Sequence, residues 1–236
     1  MIFVGCSGFP VPASRYWGEF SGVELTETEL GIPGEGTIRR WLRESPKNFA
    51  FSLMAPKQVM DSGFAVSDAN RELTEAIGQV AKRMKAKAVV FQAEDDFKPT
   101  PTNRKSIKAF VGALPADFPA TVVFDFPAWK PAQVLQVTDG HDIVPAYDPL
   151  KDDAPAGTFH YVRLPGPAGR RSRYDDKAIA EIAEYFSKSR AQEILCVFRN
   201  QDMFVNAKAI QKVVNVKPKA KPATAKKATK AKAKAK

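Results

Sequence analysis

The chain has 236 residues, 44% of them apolar, with 36 lysines and arginines against 26 aspartates and glutamates, and two cysteines. That length supports a sizeable core, no apolar run approaches the roughly 20 residues of a spanning helix, and two cysteines are too few for a disulfide framework or a structural zinc site. The net charge of +10 is uneven: residues 217–236 hold 9 lysines and no acid, which leaves 27 basic and 26 acidic side chains over residues 1–216.

Residues 2–4 read as a first strand, followed by Gly5-Cys6-Ser7-Gly8, where two glycines permit a tight turn or a close backbone approach. A weak helical pattern spans 13–20. Residues 23–26 form a second strand with Glu24 inside it, an unusual place for a carboxylate unless it faces a polar site or a partner. Thr37 is placed to cap a helix running to 44, with Ile38, Trp41 and Leu42 on one face. Residues 49–54 alternate as a strand that Ala55-Pro56 ends. Asp68 is placed to cap a long helix in which Leu73, Ile77, Val80 and Met84 recur at helical spacing.

Residues 88–92 make the next strand, ending in Gln92. A helix is expected over 103–114 and a strand over 121–126, with Asp125 near its end. A short helix at 132–137 leads to a strand at 142–147 that ends in Asp148-Pro149. The connection 150–158 is too short and Pro-rich for a helix. Residues 159–164 form a strand delivering Arg163 to a Gly/Pro loop with Arg170, Arg171 and Arg173. Asp175 then opens a helix, a setting suited to an anion. A strand at 193–198 and a helix from 202 to 214 complete the series.

Eight strands alternating mostly with helices predict an α/β fold of parallel βαβ units, a (β/α)8 TIM-type barrel. At 216 residues it is trimmed, with a weak first helix and no sixth. No G-x-G-x-x-G follows the first strand, which disfavours a doubly wound dinucleotide fold. In such a barrel the strand C-termini carry the ligand groups. Those ends are Ser7, Glu24, Met54, Gln92, Asp125, Asp148, Arg163 and Asn200. Two readings of Arg163 with Glu24 and Asp148 stand open: a buried ion-pair network, or an arginine that binds a phosphate or carboxylate while Asp148 or Glu24 moves protons.

Only His141 and His160 are present, and neither is expected to bind a metal. Cys6 and Cys196 read as buried small hydrophobes, or as a redox pair if their strands are neighbours. The N-terminus lacks a charged leader pattern, so a cytoplasmic protein is expected. The Lys/Ala/Pro composition of 217–236 predicts a disordered tail able to bind polyanions non-specifically.

The order and spacing of several pieces resemble the YecE-like family, also called the domain of unknown function 72 family. They are the run Val4 to Pro10, Val23-Glu24, Thr37 with Trp41, Pro46 with Phe49 and Phe51, and Val90-Phe91-Gln92. They continue with Trp129, Asp148-Pro149, Tyr161 to Leu164 with Gly166, Tyr174, and Phe198 and Asn200 with Met203 and Ala207. The resemblance spans about residues 2–214 and implies a (β/α)8 barrel without an established activity. The family shows a lysine where Met54 stands, an aromatic pair near Glu29-Leu30, and a glutamate and an arginine near 124–127. It shows a histidine at Pro165 and an asparagine at Arg199. The chain thus resembles a divergent member.

The expectation is one barrel domain over 1–216 and a tail over 217–236. An anionic ligand, phosphate- or carboxylate-bearing, is expected at the strand ends, contacted by Arg163, Gln92, Asn200, Ser7, Gly166, Arg173 and Tyr174. Glu24 and Asp148 are the candidate catalytic groups, and whether the protein is an enzyme stays open. No cofactor, metal or membrane is expected. The alternatives are a nucleic-acid-associated protein using the Lys-rich tail, or a non-catalytic interaction module.

Overall fold

In a computed structural model, which describes residues 1–214, eight parallel strands form one sheet in the order β1-β8-β7-β6-β5-β4-β3-β2. The strands are β1 (Ile2–Cys6), β2 (Gly22–Leu25), β3 (Ala50–Met54), β4 (Ala88–Gln92), β5 (Thr121–Asp125), β6 (Ile143–Tyr147), β7 (Phe159–Leu164) and β8 (Glu193–Phe198). The helices are α1 (Ala13–Tyr16), α2 (Glu35–Glu44), α3 (Lys57–Asp61), α4 (Asp68–Met84), α5 (Pro101–Ala113), α6 (Pro131–Val137), α7 (Asp176–Lys188) and α8 (Met203–Val213). The trimmed barrel is present as expected: α1 is a single turn, and β6 passes to β7 without a helix. The expected tail lies outside the described residues.

The sheet closes on itself through a side chain. The Tyr16 hydroxyl accepts from the Cys6 amide at 2.7 Å and donates to the Gly22 carbonyl at 2.9 Å, so a phenol stands between β1 and β2 where a ladder would otherwise run. Beyond it the strands touch directly, with Gly8 N–H donating to the Glu24 carbonyl at 2.7 Å. Gly5 is required here, because a Cβ would sit 2.0 Å from the Gly22 carbonyl oxygen.

Alternation along each strand separates two cores. Phe3, Ala50, Met54, Ala88, Val90, Val123, Tyr161, Leu195 and Val197 fill the barrel interior. The intervening residues, among them Val4, Cys6, Phe91, Phe124, Val162 and Cys196, pack against the helices. Both cysteines are buried and free.

Several boundaries differ from expectation for local reasons. Gly34, not Thr37, precedes α2, so that helix begins a turn earlier. Ser67, not Asp68, caps α4 by accepting the Asn70 amide, and Thr100 caps α5 ahead of Pro101. Helix α3 was not expected, yet Pro56 initiates it, since a proline's fixed φ suits the entry to a first turn. Asp175 caps α7 by accepting the Ala178 amide at 2.8 Å.

Candidate functional site

At the C-terminal end of the barrel, polar side chains replace the apolar interior. Glu24 is fully buried and its carboxylate is saturated: Oε1 accepts from Ser7 Oγ at 2.6 Å and Arg163 Nη2 at 2.8 Å, and Oε2 accepts from Tyr161 Oη at 2.7 Å. Tyr161 is supported in turn by Ser52 Oγ at 2.9 Å. Burial alone would raise the Glu24 carboxyl, but the Arg163 charge and the donors from Ser7, Arg163 and Tyr161 outweigh it and hold it below the usual carboxylate value.

Arg163, itself buried, spreads its guanidinium over four strands, β2 to β5. Nη1 donates to Gln92 Oε1 at 2.8 Å and to Asp125 Oδ2, while Nη2 also meets Met54 Sδ at 3.5 Å. Burial disfavours its charge, yet Glu24 and Asp125 more than restore it and raise its proton affinity. The carboxylates flanking Arg163 are therefore Glu24 and Asp125. The expected pairing with Asp148 does not form, because β6 carries Asp148 to another part of the rim.

Above this network lies a cleft of about 630 Å³ at the ends of β4–β8. Of the expected ligand residues, Gln92, Arg163 and Gly166 line it, as does Asp148. Ser7 lies at the β1–β2 seam against Glu24. Asn200 faces away: its Nδ2 donates to the Ser172 carbonyl and to Asn206 Oδ1, both at 2.9 Å, and so ties the 166–174 loop to β8 and α8. Arg173 is exposed and paired with Asp202 at 2.8 Å. Tyr174 is buried behind the loop, where its hydroxyl accepts the Gly166 amide at 2.9 Å. Gly166 adopts φ +104° with its Cβ position 2.3 Å from the Gly169 carbonyl oxygen, so no other residue fits that bend.

Three cleft cations, Arg199, Arg170 and Lys151, were absent from the expected set. Arg199 follows β8 on the interior face shared by Leu195 and Val197; that alternation marks it in the sequence. It is half-buried, and its guanidinium has no hydrogen-bonding or ion-pair partner among the described residues. Burial, reinforced by the nearby Arg163 charge, lowers its proton affinity. Arg170, exposed on the loop, lines the same cleft.

Asp148 is 6% exposed. Its Oδ1 accepts the Leu150 amide at 3.0 Å, while its buried Oδ2 has no hydrogen-bond partner among the described residues. The Lys151 ammonium stands 3.7 Å from Oδ2. Burial raises the Asp148 carboxyl above its usual value despite the Leu150 amide and Lys151.

The two histidines lie elsewhere. His160 Nδ1 is 2.9 Å from the hydroxyls of Tyr147 and Tyr185, between β7 and α7, and His141 precedes β6. Among the described residues no three His, Cys, Asp or Glu side chains gather in a way that would hold a metal ion. No helix among them is long and apolar enough to cross a membrane.

A DUF72 family protein from Enterococcus faecalis V583 has a similar solved structure, at 21% identity and TM-score 0.70, covering 92% of this chain and 98% of that one. A DUF72 family protein from Thermotoga maritima MSB8 matches at 19% identity and TM-score 0.72, over 92% of this chain and 100% of that one. These likenesses establish the barrel fold. No curated protein matches the chain. The family model described as "Protein of unknown function DUF72" matches residues 13–233. The chain belongs to the DUF72 family, whose barrel it shares and whose molecular function is unknown.

Proposed function

We propose that the cleft binds a small anionic molecule bearing a phosphate or carboxylate, with Arg199 as the principal contact and Arg170 and Lys151 adding positive charge at the rim. The observation that carries this reading is the half-buried Arg199 guanidinium, which makes no ion pair among the described residues and feels the carboxylates of Asp125 and Glu24 only at longer range, too weakly to offset burial and the Arg163 charge. A cation drawn out of water and set beside a second one is costly unless a counter-charge reaches it. Arg163 is less suited to meet the ligand, since both of its terminal nitrogens are occupied by Glu24, Gln92 and Asp125. Its part is to hold the floor of the cleft in place.

A thermal-shift panel of phosphorylated and carboxylated metabolites on the full chain tests the reading. A ligand at 100 times its dissociation constant adds about 2.7 kcal/mol, or about 5–10 °C for a domain of this size. The expected hit vanishes in Arg199→Gln while the variant's own melting temperature stays near wild type. A flat panel for the wild type, or a hit that survives in Arg199→Gln, would overturn it.

A second reading rests on the 9 lysines of residues 217–236, which lie outside the described residues. They favour loose association with nucleic acid through phosphate neutralisation. Removing 217–236 should abolish salt-sensitive retention on a DNA or RNA column; unchanged retention would assign it to the barrel.

A further inference from the structure

The cleft that would hold the anion of the proposed function is lined by Arg199, which makes no ion pair among the described residues, and by Asp148, whose one ion pair there is a long contact with Lys151 at 3.7 Å. Asp148 lies nine-tenths buried at the cleft wall, oriented by the bond from the Leu150 amide to Oδ1. Oδ2, the other oxygen, is buried and bonded to nothing among the described residues. Buried polar atoms are normally satisfied, and an orphan in the wall of a ligand-sized cleft calls for a partner. An ionised Oδ2 would repel an oxyanion held by Arg199, whereas a protonated Oδ2 donates a hydrogen bond to it. Resting on the anion-binding reading above, we infer that Asp148 contacts the ligand as the neutral acid, donating from Oδ2 to a ligand oxygen, so that the anion binds together with a proton.

The groups facing Asp148 allow this. From its own turn come Lys151, at 3.7 Å and outside hydrogen-bond reach, and Asp152, whose negative charge opposes ionisation. From the segment ahead of α7 comes the Tyr174 hydroxyl, and from β8 the buried Cys196 thiol. Lys151 is the one cation among them, and burial outweighs it. The inference narrows the ligand to one with separate acceptor oxygens for Arg199 and Asp148: a tetrahedral oxyanion or a carboxylate, in preference to a halide.

The test is calorimetric titration of the full chain with sulfate, which keeps its charge from about pH 5 to 8.5, so that a change of affinity with pH reports groups of the protein. Wild-type affinity should fall with rising pH, by up to about tenfold per unit for one linked proton. Buffers of differing ionisation enthalpy should register proton uptake. Asp148→Asn keeps a neutral donor, so it should bind at every pH about as well as the wild type does at low pH. Asp148→Ala should bind more weakly at low pH. Arg199→Gln should not bind sulfate.

A flat wild-type profile overturns the inference. So does an Asp148→Asn variant that keeps the wild-type pH slope, or one that folds normally yet binds no sulfate. In those cases Arg199-dependent binding leaves the anion-binding reading standing. Absence of any Arg199-dependent sulfate binding overturns both.

Discussion

Arg163 and Glu24 stand 139 positions apart in the chain and meet at 2.8 Å inside the barrel, with side chains 3% and 0% exposed. Around them Ser7, Gln92, Asp125 and Tyr161 complete one network. Such a network adds little net stability over apolar packing, but it fails badly when one partner is removed.

Arg163→Ala should therefore cost about 3–5 kcal/mol, because Glu24 is left as an uncompensated buried charge. Urea denaturation measures this. Pairing the change with Glu24→Gln should recover much of the loss, since contacting residues are strongly non-additive. Simple addition of the two single losses would contradict the network.

Glu24 and Asp148 should give stability opposite pH dependences. Glu24 is held below its unfolded value, so its contribution is present above that value and fades as pH falls through the folded one. Asp148 is raised by burial, so its contribution is present below the unfolded value and is lost as pH rises through the folded one. Asp148→Asn should accordingly gain on the wild type as pH rises from 4 to 8. Equal gains across that range, read from urea midpoints, would contradict the raised carboxyl.

Tyr16→Phe should open the seam between β1 and β2. It removes the acceptor of the Cys6 amide and the donor to the Gly22 carbonyl, both buried. A loss of about 1–3 kcal/mol is expected for the groups left unsatisfied. Hydrogen exchange should quicken at β1 and β2 before it does at β4. Uniform quickening would mean the phenol is not a local clasp.

Neither thiol should react with a disulfide reagent in the native protein. Burial pushes Cys6 up to about 12 and raises Cys196 well above its usual value, so little thiolate is present. Both should label at once in strong denaturant. Fast native labelling of either would show that β1 or β8 opens.

How far the sequence reached depended on the range of the interaction involved. Strand–helix alternation specified the barrel, and the Pro-rich segment 150–158 showed where a helix is missing. The polar strand ends were visible too, but one reading slipped by a residue. Ending β8 in Asn200 misses the interior face by one position, because Leu195 and Val197 put Arg199 on that face and leave Asn200 to the loop behind it. Helix α3 escaped because Ala55-Pro56 reads equally well as a stop and as a helix entry.

The sequence by itself determined the eight βα units, the alternation that lines the barrel, and the polar character of its C-terminal rim, since each follows from side chains near one another along the chain. Only the tertiary structure decided that Arg163 takes Asp125 and not Asp148, that Arg199 stands half-buried in the cleft with no ion pair among the described residues, and that Tyr16 joins the first two strands. Those outcomes depend on how a closed sheet staggers its strands, and a closed barrel brings residues together across its axis whatever their separation in sequence.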